Sequence, residues 1–411
     1  MILPIALSAY QEILPDSVRF REWLDGEITC HPELFPVGIE KGYVLHDIMP
    51  ESSKLPGIRF RRIKLKGSDK ENKPEVLTIA SSEVMPYMSG FTNDVEKALF
   101  LRRFGVPYWG LAYVFGRDDN YWYRMTAGLG RNSIVDTTVK EPDKLPEHVL
   151  ADEKHVRFNG EKAYIATTVG DDCVLGASLA MKADEPALRE AYSCFRKETG
   201  QLKADYQPKT VNTDGWQATQ NAWLGLFPMI VIIQCFLHAF IKIRNRCKKR
   251  FKDLYPLIVQ QVWDIYGASD PQTFRQQAAD LLVWSHLHLS GTALTAVEKL
   301  CANTDLFILA FNFPDAYRTS NMIDRHMEPM ARWLVSSRFF HGHRSSAELQ
   351  IRSWAILHNF WPYCPRARVT QEATSPAHKL NGFVYHDNWL HNLLISSSCA
   401  GMNTLHRIHQ N

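Results

Sequence analysis

Residues 150–180 read LADEKHVRFNGEKAYIATTVGDDCVLGASLA, and this stretch decides the fold class. It contains two β-rich runs, at 162–170 and 172–180, that meet at the turn Gly170–Asp171, which is the signal of a β-hairpin. A short strand that ends in two acids, 148–153, precedes the hairpin. The stretch therefore predicts three neighbouring strands of one sheet.

Helices alternate with further strands after this point. A Pro-containing helix is predicted over 184–200, with Asp184 as its N-cap. A short strand at 209–216, a helix at 217–226 and the β-branched run MIVII at 229–233 follow. This order predicts an α/β layer built on a mixed sheet.

The rest of the chain is predicted to be helical. Strand patterns disappear between 245 and 317, which indicates a helical insertion. Helical patterns then resume at 320–335 and 345–360. The polar, histidine-containing segment 366–411 is predicted to be a solvated C-terminal tail.

The N-terminal region, 1–145, carries a compact helical pattern. Helices separated by Gly-Val-Pro and Gly-Arg over about 93–126 are typical of a helix-turn-helix unit, although any small three-helix bundle would give a similar pattern. Its third helix would present Asn120, Tyr121 and Arg124 to DNA. The charged stretch 140–148, with two prolines, is predicted to be a linker.

A basic strand is predicted at 59–66, RFRRIKLK, in which five of eight residues are basic. One interpretation is a solvated edge strand whose charges discourage aggregation. The other is a strand that contacts DNA phosphates, through Arg59, Arg61, Arg62 and Lys64.

A second basic run follows the MIVII strand. No acid occurs between 215 and 252, and seven residues there are basic. A solvated helix face is the alternative, but the density favours a phosphate-binding surface. Such contacts position DNA without reading its sequence. The residues are Lys242, Arg244, Arg246, Lys248, Lys249, Arg250 and Lys252.

Composition excludes several classes of protein. The 411 residues are 45% hydrophobic and 22% charged with a net charge of +3, so the chain is neither disordered nor a fibrous repeat. Its length suggests two or three domains. The eight cysteines form no CxxC pair, which argues against a disulfide framework and favours a reducing cytoplasm. The apolar N-terminal segment lacks the basic region of a signal peptide and is interrupted by Pro4, so no signal peptide is predicted.

One uncharged segment, 223–241, is long enough to cross a bilayer. Pro228, Gln234 and His238 interrupt it, and the MIVII run within it suits a strand buried on both faces. We therefore expect no membrane span, with a membrane protein kept as the alternative.

Acids at the predicted strand ends suggest metal chemistry. Asp152 and Asp214 each close a strand of the same layer, and neighbouring carboxylates must repel each other or share a cation. Oxygen ligands favour Mg²⁺, with Mn²⁺ possible. Asp324, near a helix start, is the best third ligand, and Glu328 is the fallback. Turn aspartates with no ligand role are the alternative interpretation.

Three blocks together resemble DDE/D transposases with a ribonuclease-H-like core, as in prokaryotic insertion-sequence transposases related to Mutator-like elements. The blocks are 150–180 with Asp152, VNTDGW at 211–216 with Asp214, and TSNMIDR at 319–325 with Asp324. The resemblance covers about 145–365 and implies a catalytic core formed by 146–244 and 318–365, with the helical insertion at 245–317 between its two parts.

The resemblance implies roles for individual residues. Asp152, Asp214 and Asp324 would be the catalytic, metal-binding acids, although the third acid is more often Glu in this superfamily. The 110-residue gap before Asp324 would hold the helical insertion that the pattern predicts independently. Cys235 and His238 match a characteristic CxxH pair, for which no second half of a zinc site follows.

The implied activity is DNA transposition. Two magnesium ions would support cleavage at the transposon ends and strand transfer into target DNA. Pairing of the two transposon ends implies at least a homodimer. The implied location is the cytoplasm of a prokaryote, in association with the nucleoid. No P-loop motif is present, so no nucleoside triphosphate is required. The main alternative is a sequence-specific DNA-binding protein that keeps the fold but no longer cuts.

Other polar residues have simpler interpretations. Asp171 and Asp172 are predicted to be hairpin turn residues, and Glu348 to complete a capping box that begins at Ser345.

Overall fold

The computed structural model describes residues 1–66, 76–370 and 372–398. Within them the chain forms two mixed β-sheets surrounded by helices, which confirms the α/β class. No helix of these residues is both long enough and apolar enough to cross a membrane.

The first sheet belongs to the N-terminal part and has the order β1-β4-β3-β2. β1 runs parallel to β4, and the remaining pairs are antiparallel. Two helices, α1 (Leu7–Ile13) and α2 (Ser17–Cys30), share its core. The strands are β1 (Ile2–Leu3), β2 (Tyr43–Ile48), β3 (Arg61–Leu65) and β4 (Val76–Ser81).

The predicted basic strand is β3, and it is an interior strand. β2 and β4 pair with its two edges, so the interpretation as a solvated edge strand is wrong. Its side chains alternate between a buried face, with Ile63 and Leu65, and a half-buried face.

Helices occupy the predicted helix-turn-helix region. The sequence offers Asp118 or Asp119 as the cap of the third helix, and Asp118 is the one that caps it, since its side chain accepts from the N–H of Tyr121 at 2.6 Å. Asn93, with Glu96 three residues later, predicts the start of the first helix, but this is wrong, because the helix begins at Thr92 with Phe91 at the N-cap position. The helices are α3 (Thr92–Leu101), α4 (Tyr108–Phe115), α5 (Asp119–Leu129) and α6 (Ile134–Thr138).

The second sheet has the order β7-β6-β5-β8-β9. β5, β6 and β7 form an antiparallel meander, and β8 and β9 continue the sheet in parallel with β5. The strands are β5 (His148–Phe158), β6 (Glu161–Gly170), β7 (Cys173–Ala180), β8 (Thr210–Thr213) and β9 (Val231–Gln234).

β5 is longer than predicted. Asp152 does not close this strand but lies within it, because β6 pairs with β5 as far as Phe158. Two crossover helices cover one face of the sheet and lead to the parallel strands, with Asp184 capping the first as predicted. They are α7 (Glu185–Leu202) and α8 (Gln217–Leu226).

The predicted helical insertion consists of helices with a core of their own. This core contains apolar side chains from α9 to α13, including Phe240, Val262 and Phe274. The helices are α9 (Phe236–Cys247), α10 (Tyr255–Tyr266), α11 (Pro271–His288), α12 (Gly291–Ala302) and α13 (Thr304–Ile308).

Two long helices, α14 (Asn321–Ser336) and α15 (Arg344–Phe360), return to the second sheet. The predicted capping box is wrong, because the N-cap of α15 is His343 and not Ser345, and because the side chain of Glu348 turns toward β7. There its carboxylate accepts from the N–H of Leu179 at 3.0 Å and from the hydroxyl of Ser178.

The segment 366–398 is not the solvated tail that its polarity predicts. α16 (Pro365–Thr370), α17 (Pro376–Asn381) and α18 (Trp389–Ser396) lie there. Every residue of α18 is buried, because its apolar side chains join the cores of both sheets. Residues 399–411 of the predicted tail lie outside the described residues.

The predicted boundary near residue 145 does not separate two cores. Leu99 of α3 and Trp122 of α5 belong to the same apolar cluster as Leu150 of β5 and Trp354 of α15. The predicted linker is also packed, since Lys140 is buried and donates from Nζ to the carbonyl of Ser396 at 2.6 Å. The helices of the predicted helix-turn-helix region therefore pack onto the second sheet.

Candidate functional site

Two acids lie side by side on neighbouring parallel strands. The register between β5 and β8 pairs Leu150 with Asn212. Two residues further along each strand, this places Asp152 level with Asp214, which directly follows the end of β8. Gly215 then turns the chain with a φ of 89°, and Asp214 accepts from the N–H of Trp216 at 2.8 Å.

Asp152 experiences the charge of the other predicted ligands. Burial raises its pKa to about 6, and the charges of Asp214 and Asp324 add to the rise. The N–H of Glu153 and the His238 side chain act in the opposite direction. Asp152, Asp214 and Asp324 therefore converge on one region, although they are distant in sequence.

Asp324 lies in the first turn of α14, and its carboxylate accepts from the hydroxyl of Ser320 at 3.3 Å. Glu328, the fallback third acid, is one helical turn further along. It is exposed and forms an ion pair with Arg332 at 3.6 Å. The structure thus brings Asp324 toward Asp152 and leaves Glu328 at the surface.

Cys235 and His238 join the same network through Ser320. Cys235 directly follows β9 and is fully buried. Its Sγ accepts a hydrogen bond from the N–H of Ser320 at 3.2 Å. The Ser320 hydroxyl lies 3.3 Å from Nδ1 of His238 and also donates to Asp324. One serine therefore connects the CxxH pair to the third acid.

The environment favours a protonated His238. Its hydrogen bond to Cys235 raises the pKa of His238 to about 9, burial opposes this, and Asp152 and Asp214 contribute further. Burial raises the pKa of the Cys235 thiol, but hydrogen bonds from His238 and Ser320 outweigh it and the net shift is downward. Because Cys235 is fully buried, we assign it a structural role and not that of a nucleophile.

The acids suit a hard divalent cation by their chemistry, since carboxylate oxygens are the preferred ligands of magnesium. A cation would also offset the repulsion from Asp214 and Asp324 that adds to the effect of burial on the pKa of Asp152. As the side chains stand, no group of three or more His, Cys, Asp or Glu side chains within 1–66, 76–370 and 372–398 is arranged to enclose an ion. The carboxylates are therefore suitable ligands for magnesium, but their side chains do not surround a common cation position.

The second basic run forms the end of α9 and the turn after it. Phe236, Phe240, Ile243 and Cys247 bury one side of this helix, and the basic residues lie exposed on the other. Among the described residues, none of the seven forms an ion pair with an acid. At 1.5 Å per residue, Arg244 lies roughly 10 Å along the helix from His238.

The first basic run is less free for DNA. Arg61 is buried, donates to the carbonyl of Leu14 and stacks over the ring of Phe20, so the prediction that it contacts phosphate is wrong. Arg62 is held by an ion pair with Asp47. Arg59 is exposed and Lys64 is half-buried, and both stay predictions.

On the third helix of the N-terminal unit, Asn120 and Arg124 are exposed as predicted. Tyr121 is half-buried, and its hydroxyl donates to the carbonyl of Ser89 at 3.0 Å. Two of the three predicted DNA-reading side chains are therefore accessible.

The hairpin acids have turn geometry, as predicted, with a φ of 46° at Asp171 and 68° at Asp172. Ser320 is the residue that the sequence interpretation missed. Its only signal was its place in the TSN segment before α14, because the partners it connects are 82 and 85 residues away.

Comparison with protein-family models finds no match for this chain, and no curated protein matches it.

Proposed function

We propose that this protein is a DNA transposase that binds transposon ends and catalyses metal-dependent cleavage and strand transfer. The observation that carries the proposal is the approach of Asp152, Asp214 and Asp324 beside the C-terminal end of β8, where β8 runs parallel to β5. The strand order β7-β6-β5-β8-β9, with helices before and after the parallel strands, supports a ribonuclease-H-like core.

The acids would hold two magnesium ions. When bound, such ions activate an attacking oxygen and stabilise the leaving oxygen of a phosphodiester. The chain itself contributes ionised carboxylates, with Ser320 orienting Asp324. Protonated His238 balances part of the negative charge around Asp152 and Asp214.

DNA would approach along the exposed basic side of α9. Three of those cations are in α9, the helix that carries His238, and the other four are in the turn after it. A DNA backbone bound along them would therefore lead toward the carboxylates. This arrangement gives affinity without sequence preference, and the N-terminal helices would supply recognition of the transposon ends through Asn120 and Arg124.

The test uses the purified full chain with the DNA that flanks its reading frame on both sides. With Mg²⁺ or Mn²⁺ we expect nicks at defined ends and joined products on denaturing gels. Asp152→Asn, Asp214→Asn and Asp324→Asn should each reduce cleavage by roughly 10²-fold or more and leave thermal unfolding intact. Glu328→Gln is the matched control, and its loss of cleavage, with Asp324→Asn active, would refute the third-acid assignment.

A catalytically silent DNA-binding protein is the second candidate. The open arrangement of the acids within the described residues favours it. Specific binding of the flanking DNA, with no cleavage in either metal by the unmodified chain, would decide for this candidate against the transposase.

A further inference from the structure

A cavity of about 390 Å³ lies at the tip of the hairpin that joins β5 and β6. It is separate from the three acids, since it lies beyond Asp152 on β5. Volumes in this range are typical of sites for small groups or ligands. The lining residues are His155, Val156, Arg157, Gly160, Lys162 and Phe339.

The polar lining is cationic. Arg157 and Lys162 are directly opposite each other in the antiparallel register, so two positive side chains share one face of the hairpin. His155 lies on the same face, and burial together with the charge of Lys162 lowers its pKa. Directly opposed like charges destabilise a strand pair.

Acids do not compensate these charges. Among the described residues, Arg157, Lys162 and His155 take part in no ion pair. Lys162 instead lies over the ring of Tyr164, with Nζ 5.2 Å from the centroid. The hairpin thus tolerates a concentration of positive charge that an anion would neutralise.

The opposite wall of the cavity is held in place. The N–H of Phe340 donates to the carbonyl of Arg157, and the N–H of Asn159 donates to the carbonyl of Phe340 at 2.9 Å. The Asn159 side chain accepts from the N–H of Gly342 at 2.8 Å and donates to its carbonyl. These bonds fix Phe339, whose φ is 65°, against the hairpin. The cavity is therefore formed before any ligand arrives.

We propose that this cavity binds a phosphate group. A guanidinium and an ammonium on adjacent strands match the several oxygens of a phosphate, and Arg157 can make two parallel hydrogen bonds to it. The phosphate belongs either to a DNA backbone or to a small phosphate-bearing ligand. The proposal does not depend on transposase activity.

The experiment compares the full chain with Arg157→Gln, Lys162→Gln and the double variant. Lys197→Gln, an exposed lysine on α7, is the control. Titration calorimetry with inorganic phosphate is one measurement. Fluorescence anisotropy with a DNA duplex of arbitrary sequence over a range of salt concentrations is the other.

Two results support the proposal and separate the sources. For backbone phosphate, the variants weaken DNA binding and reduce the slope of log affinity against log salt by about 0.9 per lost contact, which the control does not. For a small ligand, the unmodified chain binds inorganic phosphate, the double variant binds it at least about tenfold more weakly, and DNA binding is unchanged.

The proposal is overturned if neither measurement distinguishes the double variant from Lys197→Gln. Folding is not at issue, since the substituted side chains are exposed and the strand pairing uses only the backbone. Thermal unfolding should show an equal or higher midpoint for the double variant, because the opposed charges are gone. Both measurements report binding only. They can therefore be interpreted whether or not the unmodified chain or its variants cleave DNA.

Discussion

At the scale of single residues, Ser320 is the contact on which the third acid depends. Ser320→Ala removes the hydroxyl that donates to Asp324 and lies beside His238. If the chain is a transposase, we expect single-turnover cleavage to fall on the order of tenfold, the effect of one lost hydrogen bond, with DNA binding unchanged. Thr319→Ala, at the preceding position, is the control, and equal effects of the two variants would contradict this role.

Asp136 should make stability depend on pH. Burial, with the nearby charge of Glu198, raises its pKa in the folded chain from 3.8 to about 7. A raised carboxyl pKa favours the folded state at low pH, and this contribution is lost as pH rises from about 4 to 7. Relative to Asp136→Asn, the unmodified chain should lose roughly 2 kcal/mol of unfolding free energy between pH 5 and pH 7.5.

Denaturant unfolding of both proteins at these two pH values measures the difference. Lys140, whose pKa burial lowers to about 8, changes little over this window. A difference between the two proteins that stays constant with pH would show that Asp136 is already ionised at pH 5.

At the scale of elements, the closest approach at a glycine among the described residues lies between Gly130, the C-cap of α5, and the helix α15. A Cβ added at Gly130 would lie 2.0 Å from the carbonyl oxygen of Leu349, within the backbone of α15. Gly130→Ala should therefore destabilise the fold by roughly 3 kcal/mol, since neither backbone can yield cheaply.

Gly128→Ala is the matched control for this prediction. It lies inside α5, two residues before Gly130, with nothing within 4 Å of an added Cβ, so Gly128→Ala should be neutral or stabilise by up to about 1 kcal/mol. Denaturant unfolding of the two variants gives the comparison. Equal stabilities would mean that α5 and α15 are packed less closely than the structure has them.

The elements themselves were largely predictable from local patterns. The helices at 184–200 and 320–335 have capping or amphipathic signals within their own residues, so they form where predicted. The end of β5 and the cap of α15 were wrong, because a strand ends where its partner ends and Glu348 bonds to another strand. Such partners are not visible in a local window.

At the scale of the whole molecule, the basic run at the end of α9 and in the turn after it should dominate the attraction to DNA. The variant with Lys248, Lys249 and Arg250 each changed to Gln should reduce the salt slope of duplex binding by about 2 to 3, that is, about 0.9 for each contact. The control changes Arg19, Arg189 and Arg332 to Gln, since each is exposed but paired with an acid. Fluorescence anisotropy at several salt concentrations measures both variants, and equal slopes would show that the basic turn after α9 does not contact DNA.

The net charge of +3 conceals this surface, because the acids that balance it lie elsewhere in the chain. Composition is likewise a poor guide to the number of domains. A boundary near 145 follows from composition, yet the described residues on both sides of it share one apolar core.

By itself the sequence determined the α/β class, the positions of most helices and the basic run after β9, because these depend on periodicity and local composition. Only the tertiary structure decided that β3 is an interior strand with Arg61 buried, that α18 is packed, and that Ser320 connects Asp324 to Cys235 and His238. The physical reason is common to all three. Burial and hydrogen-bond partners arise from residues brought together across the chain, and a pattern within a few turns carries no record of them.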